Sequence, residues 1–242
     1  MVGDTWSPRA VVFDCDGLLM DTEACWTTAE TAMFAERGLS FTPAHKAALI
    51  GRSLAHNAAT ISKLLGDPAA GALEQELLER VLDVVAREAR AMPGAAEIVA
   101  RLAATMPIAV ASNAPRALLD AALARSGFAK AFTATLAAEE VAAPKPHPAI
   151  YLAACQRLHC DPVGALAFED SETGARAARS AGLRVVCVPT LDIEIPAADA
   201  HVDSLLDQRL ARWIEEWPPS PQASSAADIM GGAGFEPATP SL

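Results

Sequence analysis

The chain has 242 residues, of which 52% are hydrophobic and 20% charged, and carries a formal net charge of −11. That length and apolar content can fill one large core or two smaller ones, while the acidic balance repels nucleic acid and anionic membrane surfaces. No apolar run approaches the roughly 20 residues that span a bilayer, no secretory leader is legible at the N-terminus, and five cysteines without a Cys-x-x-Cys pair suit free thiols in a reducing cytoplasm.

The first element in chain order is a strand near residues 9–14, the apolar run Val11-Val12-Phe13 that ends in Asp14-Cys15-Asp16-Gly17. It delivers two carboxylates to the lip of a buried sheet. One can attack as a nucleophile while the other, two residues on, serves as an acid and then as a base. Gly17 lets the chain turn sharply beyond them. A polar turn in which Asp14 merely caps a helix is the ordinary alternative. Two aspartates flanking Cys15, followed by Gly17-Leu18-Leu19-Met20-Asp21-Thr22-Glu23, outweigh it. The segment Phe13–Glu23 resembles the first motif of the haloacid dehalogenase-like hydrolase superfamily, most closely its small-metabolite phosphatases and β-phosphoglucomutases.

Residues 22–91 show three helical stripes and no convincing strand: Trp26, Ala29, Met33 and Arg37; Leu54, Ala58, Ile61 and Leu65; Leu73, Leu77, Val81 and Val84. Asp67-Pro68 and Met92-Pro93-Gly94 punctuate their ends. An insertion of helices directly after the first strand resembles the helical cap of the superfamily, which implies that substrate choice lies there. Arg52, in Gly51-Arg52-Ser53, is the foremost candidate for a substrate contact, ahead of His45, Lys46 and His56. An exposed loop arginine is its ordinary alternative.

After residue 93, strands near 107–112, 131–135, 165–169, 184–188 and 200–202 alternate with helices. The pattern predicts an α/β, Rossmann-like parallel sheet with helices on both faces, and ligands at the carboxyl ends of its strands. The expected organisation is a core of residues 1–21 and 92–217, an all-α helical-bundle cap over 22–91, and a disordered tail over 218–242, rich in Pro, Ser, Ala and Gly.

Three further motifs fall at suitable separations. Ile108–Ala111 leads into Ser112 and Asn113, where the resemblance implies phosphoryl binding through the hydroxyl and neighbouring amides. Lys145, bracketed by Pro144 and Pro146, is an ammonium on a stiff segment, and the matching family lysine neutralises charge on the phosphoryl group. The strand Ala165–Phe168 ends in Glu169-Asp170-Ser171, hard oxygen donors that suit Mg²⁺ opposite Asp14. Asp170 is expected as a direct ligand, with Glu169 as the second and Asp14 and the Asp16 carbonyl completing the set.

The resulting expectation is a cytoplasmic, Mg²⁺-dependent phosphatase acting on a small phosphorylated metabolite through an aspartyl phosphate. Asp16 argues against the family's dehalogenases, which do not need it. A sugar-phosphate mutase is the alternative, although those mutases carry a histidine where this chain has Trp26. A catalytically silent binding module would have lost a nucleophile, lysine or ligand, and all are present.

Overall fold

The computed structural model describes residues 6–49, 54–66, 70–189 and 195–217. Its centre is a six-stranded parallel sheet of β1 (Ala10–Phe13), β4 (Ile108–Ala111), β5 (Ala134–Leu136), β6 (Ala165–Glu169), β7 (Arg184–Cys187) and β8 (Ala200–His201), in the spatial order β5-β4-β1-β6-β7-β8. Register is fixed by burial on both faces. Phe13 lies beside Val110 on one side and Phe168 on the other, so the three central strands end level with one another.

Alternation along these strands sorts large side chains from small. Val11, Phe13, Ile108, Val110, Leu166 and Phe168 face one layer; Ala10, Val12, Ala109, Ala111, Ala165 and Ala167 face the other. Onto the first pack α5 (Ala95–Ala103), α6 (Arg116–Ser126) and α9 (Gln208–Glu215), with Phe13 and Phe168 stacked at 5.2 Å between ring centroids. Onto the second pack α7 (Ala149–Arg157) and α8 (Glu172–Ala181). The alanines of the sheet and of α8 leave little side-chain bulk between these layers, so the helix backbones can approach closely.

Between Asp21 and Arg90 the described residues form four helices: α1 (Glu23–Glu36), α2 (Pro43–Leu49), α3 (Leu54–Leu65) and α4 (Ala70–Glu88). The three apolar stripes occupy α1, α3 and α4, with Met33, Ile61, Leu77 and Val81 fully buried. Arg37, the last residue of the first stripe, instead pairs with Glu76 of α4 at 2.7 Å. The short α2 carries no long apolar period and escapes a pattern reading. Two-residue strands β2 (Met20–Asp21) and β3 (Arg90–Ala91) pair antiparallel where the chain enters and leaves these helices, and Met92 N–H donates to Leu19 O at 2.9 Å. The absence of any strand expected over 22–91 is thereby corrected at its last two residues.

The strand expected at 131–135 begins three residues later. A 3₁₀ turn at Ala129–Ala131 comes first, and Phe132 is drawn into an edge-to-face cluster with Phe13 and Phe128 before the chain joins the sheet. The tail 218–242 and Arg52 lie outside the described residues.

Candidate active site

β1 lies where the strand order reverses, with β4 on one side and β6 on the other. Open α/β sheets collect ligands at the carboxyl ends around such a reversal. Asp14 follows β1 directly and its N–H donates to Phe168 O at 3.0 Å. Gly17, at φ 81°, turns the chain back, with Leu19 and Met20 N–H both donating to Cys15 O. That tight loop sets Asp16 on the same lip. Its Oδ1 accepts from Thr22 Oγ1 at 2.7 Å and its Oδ2 from Ser112 Oγ at 2.8 Å, so two hydroxyls from separate segments fix one carboxylate.

Ser112 is fully buried and its Oγ also accepts from Ala114 N–H at 2.9 Å. Asn113 turns its side chain toward the lysine segment: Oδ1 accepts from Lys145 N–H at 2.9 Å, and Nδ2 donates to Lys145 O at 3.3 Å. The Asn113 side-chain amide therefore clamps the backbone of Lys145. A phosphoryl oxygen is left the Asn113 backbone amide.

Lys145 Nζ donates to Asp14 Oδ1 at 2.5 Å and to Glu169 Oε1 at 2.6 Å, deep enough that Lys145 is 7% exposed and Glu169 fully buried. Five donors surround the Glu169 carboxylate. Oε1 accepts from Lys145 and from Tyr151 Oη at 2.5 Å; Oε2 accepts from Asp170 N–H at 3.2 Å, Ser171 N–H at 3.4 Å and Ser171 Oγ at 3.1 Å. Both oxygens of the residue expected as a second metal ligand are thus occupied by protein donors.

A Cβ on Gly174, in the first turn of α8, would overlap that carboxylate. Replacing glycine by alanine inside a helix ordinarily gains about 1 kcal/mol. Here the neighbour is pinned by five hydrogen bonds and cannot yield, and overpacking a tight core costs about 1–3 kcal/mol. Gly174→Ala is therefore expected to lower stability by roughly 1–2 kcal/mol, the overpacking exceeding the propensity gain, and to lower turnover as Glu169 shifts under Lys145. Urea unfolding together with an activity assay checks both.

Burial pushes the Asp14 carboxyl well above the usual carboxylate range; Lys145 pulls it down, but Glu169, Asp170 and Asp16 push it further up. Burial alone would lower Lys145, yet Asp14 and Glu169 outweigh it and hold the ammonium firmly charged. Tyr151 is raised by burial and then by Glu169, so its hydroxyl stays protonated and donates. Cys15 is raised by burial and by the two aspartates, which makes it an inert packing residue.

Carboxylate oxygens of Asp14, Glu169 and Asp170 lie within 4.8 Å of one another. Four acids crowd one ammonium, and burial makes unbalanced charge costly. A hard oxygen donor set with surplus negative charge fits a hard divalent cation such as Mg²⁺.

Residues 8–182 match the family model of haloacid dehalogenase-like hydrolases. This chain belongs to that family. Among relatives of this haloacid dehalogenase-like hydrolase, protein CbbY of Rhodobacter capsulatus is 33% identical over 81% of the chain and 93% of its own length. Hexitol phosphatase B of Escherichia coli K12 is 29% identical over 82% and 93% respectively. The crystal structure of a putative β-phosphoglucomutase from Thermotoga maritima superposes with a TM-score of 0.74 at 26% identity, covering 86% of this chain and 99% of that one. The chain is accordingly an enzyme of the phosphoric monoester hydrolase class within the family.

Thr22 and Tyr151 were not singled out by sequence reasoning. Thr22 sits inside the first motif, six residues after the carboxylate it bonds. Tyr151 is the only tyrosine of the chain, on an apolar helical stripe with Ile150, Ala154 and Cys155. A lone phenol where an aliphatic or phenylalanine would pack was the available signal. Of the secondary candidates, Lys46 pairs with Glu23 and Glu30 of α1, and His45 Nδ1 accepts from Thr42 N–H at 3.2 Å. Among the described residues no helix is long and apolar enough to cross a membrane.

Proposed function

We propose that this hydrolase is a Mg²⁺-dependent phosphatase that cleaves a small phosphorylated metabolite, a sugar phosphate or similar phosphomonoester, through an aspartyl phosphate on Asp14. The observation that carries this reading is the meeting of Asp14, Asp16, Ser112 and Lys145 with the acidic pair at one strand end, where Lys145 Nζ stands 2.5 Å from Asp14 Oδ1. A single ammonium is already bonded to the nucleophile there, ready to share a phosphoryl oxygen with it.

In this scheme a free oxygen of Asp14 attacks phosphorus in line with the departing alcohol. Lys145, the Ser112 hydroxyl and the Asn113 backbone amide hold the phosphoryl oxygens as their charge grows. Asp16 gives its proton to the leaving oxygen, then takes one from the water that cleaves the acyl phosphate. Thr22 aims it for both steps, while the single Ser112 O–H turns from Asp16 to the phosphoryl oxygen when substrate binds. Asp14, Asp170 and the Asp16 carbonyl would hold Mg²⁺, which when bound supplies the remaining neutralisation of the phosphoryl group. The helices between Asp21 and Arg90 act as a cap that excludes water until the acyl phosphate has formed.

The relatives' printed names support a sugar- or polyol-phosphate substrate, since hexitol phosphatase B stands among them. The test is inorganic phosphate release from a panel of phosphorylated sugars, polyols and short alcohols, with Mg²⁺ and with a chelator. Metal-dependent release is the expected result. Interconversion of sugar phosphates without release would replace the phosphatase by a mutase, and metal-independent release would remove Mg²⁺ from the scheme.

A further inference from the structure

Tyr151 has no part in the chemistry just set out, yet it touches the centre of the site. It lies in the first turn of α7 and is fully buried, packed into the alanine-rich layer between α7 and the sheet. A hydroxyl in such a layer costs stability unless it is bonded, and phenylalanine would fill the same volume without that cost. The hydroxyl reaches Glu169 Oε1 at 2.5 Å, the same oxygen that accepts from Lys145, while Lys145 Nζ stands 5.0 Å from the centre of the Tyr151 ring.

The other oxygen of Glu169 is fixed by the backbone at Asp170 and Ser171 and by the Ser171 hydroxyl, and Gly174 leaves the space the carboxylate occupies. Tyr151 and Lys145 are the two donors to Oε1. Remove the phenol hydroxyl and the ammonium is held by one oxygen that has lost its second restraint.

We infer that Tyr151 is a positioning residue: through Glu169 it fixes the point at which the Lys145 ammonium meets Asp14 and the phosphoryl group. The inference rests on the phosphatase reading above. It makes Glu169 a brace for the lysine.

The test is Tyr151→Phe in the full chain, compared with wild type and with Lys145→Ala. Partners that orient a catalytic group from behind it are worth roughly 10- to 100-fold in activity, so kcat is expected to fall by about tenfold or more. KM and the Mg²⁺ dissociation constant measured by calorimetry on substrate-free protein should stay within about twofold. In a Lys145→Ala background the same substitution should leave residual turnover unchanged, because no ammonium remains to be placed; a general packing defect would lower it again. The ¹⁵N resonance of the Lys145 ammonium, assigned by its loss in Lys145→Ala, should shift and broaden in Tyr151→Phe without any substrate present.

An unmoved resonance, an unchanged kcat, or an equal loss in the Lys145→Ala background overturns the inference. A wild type that releases no phosphate from any ester would instead sink the phosphatase reading, and the ammonium resonance would still decide the placement of Lys145.

Discussion

Asp14→Asn should abolish phosphate release while leaving the protein folded. Removing the attacking group of an enzyme costs on the order of 10⁴- to 10⁶-fold in kcat, and an amide oxygen is too weak a nucleophile to restore it. Stability is expected to move far less, because two effects oppose each other. The substitution breaks the Lys145–Asp14 contact at 2.5 Å, but it also removes one of four crowded acids, the one whose ionised form burial and acidic neighbours disfavour. Lys145 keeps Glu169 at 2.6 Å. The measurement is phosphate release under saturating substrate and Mg²⁺ beside a thermal unfolding curve. Full turnover in Asp14→Asn would falsify the aspartyl-phosphate scheme.

The reverse balance holds for Lys145→Ala. Its ammonium is the cation that faces Asp14 and Glu169, whose side chains are 10% and 0% exposed. Breaking a buried ion pair from one side leaves uncompensated charge and costs about 3–5 kcal/mol. The loss should be largest in chelator-treated protein. Added Mg²⁺ should restore part of it, since a divalent cation can neutralise the same acids, and ligand binding to the folded state raises stability by mass action. Turnover should stay at least about 10²-fold low even with the metal, as it does when a transition-state donor is removed. Urea unfolding with and without Mg²⁺ tests this. Equal stability of the variant and wild type in chelator would show that the lysine does not balance the acidic cluster.

Much of this site was legible because its residues break a local rule. Asp14, Asp16, Ser112 and Asp170 are polar groups delivered by apolar strands, and Lys145 is a long flexible side chain on a stiff proline-flanked segment. The parallel sheet followed from the same runs, since strands buried on both faces lose the alternation that a one-sided sheet would keep. What stayed hidden depends on partners distant in sequence. The Asn113 side chain meets the backbone of Lys145, 32 residues away, a clamp that no local pattern announces. The contacts that Glu169 makes with Tyr151, 18 residues back, and Lys145, 24 residues back, on one of its oxygens were equally hidden. The start of β5 was misjudged because Phe132 satisfies an aromatic cluster rather than the sheet. The two residues of β3 carry no apolar period; their only signal is their pairing with β2.

That pairing has an architectural consequence. Asp21 and Arg90 sit side by side in an antiparallel ribbon, so the chain departs for the four helices and returns at nearly the same point. Such neighbours are about 4.5–5.5 Å apart across the ribbon, a gap that a two-residue hairpin turn closes. The helices therefore form a cassette: the sheet and its strand-end chemistry could accept a longer, shorter or different insert at this seam without any change in the order of its strands.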